Sequence, residues 1–336
     1  MKFSKYFSSK YIFSKGALWN AVFSDRSDGK TFDIKYNILC DFRDKGYTSV
    51  YLRRYKTEIQ TDLKETFFNE VINIYPEFAK WQFKHDKNKI CVSTDNGKNY
   101  KVICYILPLT MTAKLKSVLY VNDIHCIYYD EFVPVDDRYI QNEINILLEF
   151  WKSVDRDRDN TRLLICGNKI SPFNPLFDYF GIKLSITNDT IKTYKNGSLA
   201  VQIYSCREHR EKRKKSRFNE LVSGSAYDDY NQGGILYALN LNIMTTENAN
   251  YIYSFKTNTG EGSIWADESG NLIISEKKRK DGFLIVDKIY NTGREEIAFN
   301  YSKFPQFFKN KYRLGKIAFD SENAFNLFQD ILTKIK

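Results

Sequence analysis

Proline and glycine are scarce in this sequence, at 6 and 16 of 336 residues, which excludes collagen-like, proline-rich and glycine-rich low-complexity chains. Histidine is scarcer still. None of the 3 His (His85, His125, His209) has a Cys or another His at zinc-ligand spacing, which argues against a protein-built zinc centre. The 6 Cys, at positions 40, 91, 104, 126, 166 and 206, form no CxxC pair and follow no regular spacing. They read as reduced core thiols of a cytoplasmic protein rather than as a disulfide framework. No apolar run reaches the length of a membrane span. The basic opening stretch MKFSKYFSSKYIFSKGALW is broken by Ser and Lys, unlike the continuous apolar core of a signal peptide.

What is present is a core. Hydrophobic residues make up 43% of the chain and aromatics 16%, with 24 Tyr and 25 Phe, enough for two globular domains. The formal charge is +10, from 51 Lys and Arg against 41 Asp and Glu. Such a surplus favours a polyanionic partner such as nucleic acid, although solubility alone accounts for it equally well.

Residues 17 to about 205 alternate short apolar runs with helical periodicity, the pattern of an α/β domain around a mainly parallel sheet. Strands are expected at Leu18 to Phe23, Thr48 to Leu52, Val102 to Leu107, Ile124 to Tyr129 and Arg162 to Cys166. Helices are expected around Lys30 to Lys45, Leu63 to Ile74 and Tyr139 to Val154, the last with Ile140, Ile144, Leu147, Leu148 and Trp151 at helical spacing. Asp95-Asn96-Gly97 between two apolar runs predicts a β-hairpin over Lys89 to Leu107. Composition breaks at Cys206. Arg207 to Arg217 holds seven Lys or Arg against two Glu, and a Gly/Ser/Asp-rich stretch follows to Tyr230. The remainder reads as short strands (ILYALNLNI, YIYSFKTN, SIWADE, LIISEK), with a turn at Ser269-Gly270-Asn271 and a closing helix, Ser321 to Ile335, capped by Ser321. The expected division is residues 1–205, a basic linker 206–230, and a small α+β domain 231–336.

Ser24-Asp25-Arg26-Ser27-Asp28-Gly29-Lys30-Thr31 has the spacing of a phosphate-binding loop, with Ser24 in place of the first Gly. In such a loop backbone N–H groups wrap phosphates at a helix N-terminus, Lys30 reaches the β and γ oxygens of ATP, and Thr31 offers a hydroxyl to Mg²⁺. The competing reading is a glycine turn opening an ordinary helix. A hundred residues after Lys30, the apolar run Ile124 to Tyr129 ends in Asp130-Glu131. These acids suit a P-loop ATPase, Asp130 in the Mg²⁺ ligand sphere and Glu131 polarising the attacking water. Asn168, after the run Arg162 to Cys166, places an amide where it can sense the γ-phosphate. The alternating Asp155-Arg156-Asp157-Arg158-Asp159 is either a solvated loop or, in a ring of ATPases, a source of an arginine for a neighbour's γ-phosphate.

Tyr51-Leu52-Arg53-Arg54-Tyr55-Lys56, the loop with Arg26, Asp130-Glu131-Phe132, Cys166-Gly167-Asn168 with Asn174-Pro175, and Lys-Ser-Arg-Phe at Lys215 to Phe218 follow one another in this order. Together they resemble the DNA-packaging ATPases, or DNA encapsidation proteins, of small Picovirinae-type podophages, over essentially the whole chain. The departure is Ser24 at the first loop Gly.

The resemblance implies a P-loop ATPase of the ASCE type with a mainly parallel sheet, then a basic linker and an RNase H-like second domain. It implies a homomeric ring, a pentamer, at the portal of a preformed prohead in the host cytoplasm, driving double-stranded DNA inward with ATP and Mg²⁺, with or without a structural RNA between ring and portal. Arg156, with Arg158 as the alternative, matches the family's trans-acting arginine, and Lys116 matches a position acting across the subunit interface. Arg53 and Arg54, at the end of the second strand, either contact the nucleotide or transmit its state, or are surface charge. In the second domain Asn240 and Asn242 stand where a two-metal nuclease needs acids, and Asp267 and Glu268 are the nearest carboxylates, so a nuclease fold without its site is expected. Lys212, Arg213, Lys214, Lys215 and Arg217 are the expected phosphate contacts of the linker. The competing functions are a terminase that also cuts DNA and a basic DNA-binding protein that holds ATP without hydrolysing it.

Overall fold

The computed structural model describes residues 6–25, 27–59, 65–112, 124–134, 139–168, 175–182, 191–204, 216–223, 245–257, 260–286, 288–299, 303–313, 316–321, 323–324, 327–328 and 331. The chain forms two compact units, Met1–Lys169 with Asn188–Lys214 and Ile170–Thr187 with Lys215–Lys336. This division differs from a single break at residue 205, because the stretch 170–187 clusters with the second unit.

The first unit is built on one nine-stranded sheet. In chain order its strands are β1 (Trp19–Ser24), β2 (Thr48–Arg53), β3 (Gln82–Asp86), β4 (Lys89–Ser93), β5 (Lys101–Pro108), β6 (Ile124–Tyr129), β7 (Arg162–Gly167), β8 (Ile191–Tyr194) and β9 (Leu199–Tyr204). The spatial order is β3-β4-β5-β2-β6-β7-β1-β9-β8. The six strands from β5 to β9 in that order are mutually parallel. Antiparallel strands flank them, β4 and β3 on one side and β8 on the other. β1 is buried at all six positions, as a central parallel strand must be.

Four helices of this unit are α1 (Lys10–Phe13), α2 (Lys30–Lys45), α3 (Asn69–Ile74) and α4 (Glu143–Asp155). In α2, Ile34, Ile38 and Leu39 recur at helical spacing and are buried. They join Val22, Tyr51, Cys104, Tyr128 and Leu164 of the sheet in one apolar cluster. The helix stops at Gly46, whose left-handed φ of 68° lets Gly46 and Tyr47 N–H groups return to the Phe42 and Asp41 carbonyls. The cysteines at 104, 126 and 166 are free thiols buried in this core, and burial raises each of them above an ordinary thiol.

Three expectations need adjustment. Of the helix expected over Leu63 to Ile74, residues 63 and 64 lie outside the described residues, Glu65 is helical, and a turn at residues 66–68, which packs Phe67 on Tyr51 and Phe68 on Phe83, precedes Asn69–Ile74. The helix expected from Tyr139 begins at Glu143, because Asn142 is left-handed with φ 57°. The hairpin at 89–107 is present, with Asn96 and Gly97 both left-handed in its turn, and β3 extends it into a three-stranded antiparallel edge.

The second unit contains a six-stranded mixed sheet of β10 (Asn250–Thr257), β11 (Gly260–Ala266), β12 (Leu272–Ser275), β13 (Leu284–Val286), β14 (Glu296–Ala298) and β15 (Ile317–Phe319). Its helices are α5 (Pro175–Phe180), α6 (Arg217–Val222) and α7 (Phe304–Arg313). Ser321 accepts the Ala324 N–H at 3.0 Å, the cap expected there, and Ala324, Phe328 and Ile331 of the closing helix are buried. The expected strand ILYALNLNI lies outside the described residues. No described helix is long and apolar enough to cross a membrane.

Candidate nucleotide and catalytic site

Because β1, β2, β6 and β7 are parallel, their C-terminal ends meet at one edge of the sheet. The register pairs Leu52 with Tyr129, Tyr129 with Ile165 and Phe23 with Gly167. The residues that follow, Ser24, Arg53, Asp130, Glu131 and Asn168, therefore share that edge.

The phosphate loop leaves β1 at Ser24 and enters α2 at Lys30. Gly29 precedes the helix with φ 90°, a conformation costly for any side chain. The N-terminal segment closes over the turn, with Phe7 N–H donating to the Asp28 carbonyl at 2.9 Å. Lys30 is 5% exposed, and its Nζ donates to Ser24 Oγ at 2.7 Å and to the Asp25 carbonyl at 2.8 Å. Both acceptors are neutral oxygens. Burial pulls the ammonium below its usual value, opposed by Cys166, Asp28, Asp130 and Asp25 nearby, so an entering polyphosphate would find a desolvated cation. Ser24 has no left-handed backbone to satisfy, which is why a side chain is tolerated where a glycine is usual, and its hydroxyl becomes a rest for Lys30.

Thr31 Oγ1 donates to Asp130 Oδ2 at 2.7 Å, joining the loop to the end of β6 across 99 positions. Tyr51 on β2 donates its hydroxyl to the same oxygen at 2.9 Å. Asp130 is 3% exposed. A hydroxyl and a buried carboxylate in contact form the sparse, hard-oxygen set that suits Mg²⁺, which takes one or two protein oxygens and completes its shell with phosphates and water. Among the described residues no group of three or more His, Cys, Asp or Glu forms an all-protein metal cage.

Glu131 is exposed and left-handed, with φ 55°. Its N–H donates to Asp130 Oδ1 at 3.0 Å, and its Oε2 accepts from Arg53 at 2.5 Å. Arg53 also reaches Glu58 at 3.4 Å. Asn168 is half-buried just beyond Gly167. A Cβ on Gly167 would stand 2.9 Å from both Phe23 and Val133 side chains, so glycine there lets the loop pack closely.

The structure thus brings Ser24, Gly29, Lys30, Thr31, Arg53, Asp130, Glu131 and Asn168 to one edge. Arg156 and Arg158 belong to the opposite edge, at the C-terminus of α4 and before β7 begins. Asp155, fully buried, accepts N–H groups of Asp159, Asn160 and Thr161 at 2.8–3.2 Å and fixes this loop, in which Arg156, Asp157 and Asp159 are all left-handed. Arg158 turns back onto the helix end, donating to the Asp155 and Val154 carbonyls at 2.9 Å each. Arg156 is exposed. Arg217 opens α6 and is exposed, whereas Arg26, Lys116, Lys212, Arg213, Lys214, Lys215, Asn240 and Asn242 lie outside the described residues. Asp267 accepts from Asn271 with both carboxylate oxygens, at 2.8 Å each, and so holds the turn expected at Ser269-Gly270-Asn271.

Sequence reasoning missed Tyr51 as a partner of Asp130, and it missed Glu143. The signal for Glu143 was available: an acid three residues after Ile140 and four before Leu147 sits in the apolar stripe of its helix, where a carboxylate needs a buried partner.

The family model of the podovirus DNA encapsidation protein (Gp16) matches residues 1–335. A DNA packaging protein of Bacillus phage B103 is 29% identical over 220 residues, which are 65% of this chain and 64% of that relative, so the match spans just under two thirds of its length. Among solved structures, the N-terminal domain of the DNA packaging ATPase from bacteriophage phi29 is 25% identical with a TM-score of 0.52, covering 60% of this chain and 96% of that one. A chain of the bacteriophage Phi-29 viral genome packaging motor assembly is 20% identical with a TM-score of 0.55, covering 99% of this chain and 100% of that one, a likeness of fold.

Proposed function

The chain belongs to the podovirus DNA encapsidation protein family, and from that premise we propose that it is the ATP-hydrolysing subunit of a motor that drives double-stranded DNA into a preformed prohead. The observation that carries this reading is the Thr31–Asp130 contact, which brings together two motifs distant in sequence, as a shared phosphate and Mg²⁺ site requires. The relatives, a packaging protein, a packaging ATPase and a packaging motor, agree with it.

In this reading the backbone of residues 24–30 cradles the ATP phosphates, and Lys30 leaves Ser24 and Asp25 for the β and γ oxygens. Thr31 and Asp130 would hold Mg²⁺, which when bound would supply electrostatic stabilisation of the phosphate charge. Glu131 orients the attacking water and takes its proton, Arg53 restrains Glu131, and Asn168 faces the γ-phosphate from β7. Arg156 is too far along the sheet to serve its own chain's loop, so its place is a neighbour's site in a homomeric ring, a pentamer at the portal. The engagement of Arg158 with the end of α4 leaves Arg156 as the arginine free to project. Lys116 acts across the same interface, and Arg26 closes the loop over the nucleotide. The second unit is an RNase H-like domain that does not cut DNA, and the linker cations Lys212, Arg213, Lys214, Lys215 and Arg217 contact DNA phosphates. The motor works in the host cytoplasm, attached transiently to the prohead.

Nucleotide affinity and single-turnover hydrolysis test the proposal together. Lys30→Ala is expected to weaken ATP binding, and Glu131→Gln to keep binding while hydrolysis falls by roughly 100-fold, within the range general-base removal produces. Wild-type turnover in Glu131→Gln would refute the assignment.

A further inference from the structure

Behind the catalytic edge lies a buried ion pair that the chemistry above does not use. Arg54, 2% exposed, donates through its Nε and a terminal nitrogen to Glu143 Oε2 and Oε1, each at 2.9 Å. Glu143, also 2% exposed, accepts further from Tyr129 OH at 2.6 Å and from Ile140 N–H at 2.8 Å. The guanidinium then continues outward. One terminal nitrogen donates to the Phe132 carbonyl and the other to the Glu131 carbonyl at 3.4 Å. Its flanks are covered by the Tyr129 and Tyr139 rings, 5.8 and 5.4 Å from their centroids.

These contacts converge on a residue of the site whose backbone is strained. Glu131 is left-handed without being glycine. On its N-terminal side Asp130 N–H is tied to the Leu52 carbonyl, and on its C-terminal side Phe132 N–H is tied to the Cys166 carbonyl. The carbonyls of Glu131 and Phe132 both accept from Arg54. A lysine has no fork with which to bridge two carbonyls and a bidentate carboxylate at once. Nor does stability require the pair, since a buried ion pair is commonly replaceable by packed apolar side chains at no loss of stability.

Resting on the proposed role of Glu131, we infer that Arg54 and Glu143 are positioning residues for hydrolysis: they hold the Glu131 backbone so that its carboxylate addresses the water. Neither touches nucleotide. The fork of Arg54 sets the place of two successive carbonyls, and Glu143 on α4 sets the place of the fork.

The test uses the full chain and two readouts, affinity for a fluorescent ATP analogue and single-turnover hydrolysis, with thermal midpoint as a control. Arg54→Lys and Glu143→Gln are expected to keep nucleotide affinity within about twofold, because Ser24, Lys30 and Thr31 are untouched, and to slow hydrolysis by roughly 10- to 100-fold, the cost of a small misplacement of a reacting group. The paired apolar variant Arg54→Met with Glu143→Leu guards against a trivial folding defect. It is expected to melt at or near the wild-type temperature and still hydrolyse slowly. Wild-type hydrolysis in that stably folded double variant would overturn the inference. The Glu131→Gln control separates the two levels: if it alone hydrolyses normally, the site assignment fails, whereas a dead Glu131→Gln beside a normal double variant refutes only the positioning role.

Discussion

Arg53 and Glu131, 78 positions apart in sequence, form an ion pair across the mouth of the site. The carboxylate that would orient the hydrolytic water is thus bound to a cation of its own chain. With the Glu131 side chain 53% exposed, such a pair is worth no more than about 1 kcal/mol. It is a restraint that nucleotide or a neighbouring subunit can break.

Removing the restraint should raise basal hydrolysis. Arg53→Ala is expected to increase single-turnover hydrolysis by the isolated chain about two- to fivefold, the factor that corresponds to a pair of that strength. A tenfold or greater fall would mean that Arg53 contacts the phosphates instead.

Asp33 in the first turn of α2 ties down the N-terminal segment, accepting from Ser9 N–H at 3.0 Å and Asn37 Nδ2 at 2.8 Å. Burial lifts its carboxyl to about 6, although the Ser9 and Asn37 hydrogen bonds pull the other way. Folded Asp33 therefore holds its proton more tightly than the unfolded chain does. Its contribution to stability is fully present below about pH 4 and is lost as pH rises through about 6. Asp33→Asn, which keeps an acceptor oxygen, should remove that slope and stabilise the fold above pH 6 by up to about 3 kcal/mol. Denaturant unfolding between pH 4 and 7 measures it. A variant with the wild-type slope would contradict the burial argument.

Arg156 can be tested by mixing. Rings assembled from Arg156→Ala and Lys30→Ala subunits should regain part of the hydrolysis that either variant lacks alone, since some interfaces then pair an intact loop with an intact arginine. With assembly confirmed by sedimentation, absence of rescue would place the residue outside the neighbour's site. The same mixture made with Arg158→Ala should melt at a lower temperature than its Arg156→Ala counterpart, because Arg158 caps α4.

Gly167→Ala should destabilise the first unit by about 1–3 kcal/mol, as overpacking against Phe23 and Val133 does, and reduce hydrolysis through displacement of Asn168. Thermal unfolding and single-turnover rates check both parts.

The loop and its helix were legible because they are local. α2 runs over Lys30–Lys45 as expected, opened by Gly29 and closed by Gly46, and β6 runs over Ile124–Tyr129 as expected. What was not legible depends on pairing at a distance. β9 lies beside β1, yet its sequence was not singled out, although the left-handed Asn196-Gly197 turn before it is a hairpin signal. The order of strands follows from crossovers that no local pattern encodes, and the separation of Arg156 from the phosphate loop follows from the parallel pairing of β7 with β1, which puts the residues before β7 at the edge opposite the loop. Arg53 and Arg54 looked alike as neighbours in one run. Alternation along β2 and the loop after it sends one to Glu131 and the other to a buried acid 89 positions away.

The nine-stranded sheet ends in β3 on one side and β8 on the other, and neither is a barrel strand with a closed neighbour. Each is short and has exposed positions, most of them in β3, with a lysine near its middle, Lys84 in β3 and Lys192 in β8. Placing an ammonium on an open edge makes continuation of the sheet into another molecule costly, because a strand added there would have to desolvate it. In the proposed ring of identical copies, this would be protection against fibre growth: the copies could associate through side-chain surfaces and would be discouraged from joining backbone to backbone.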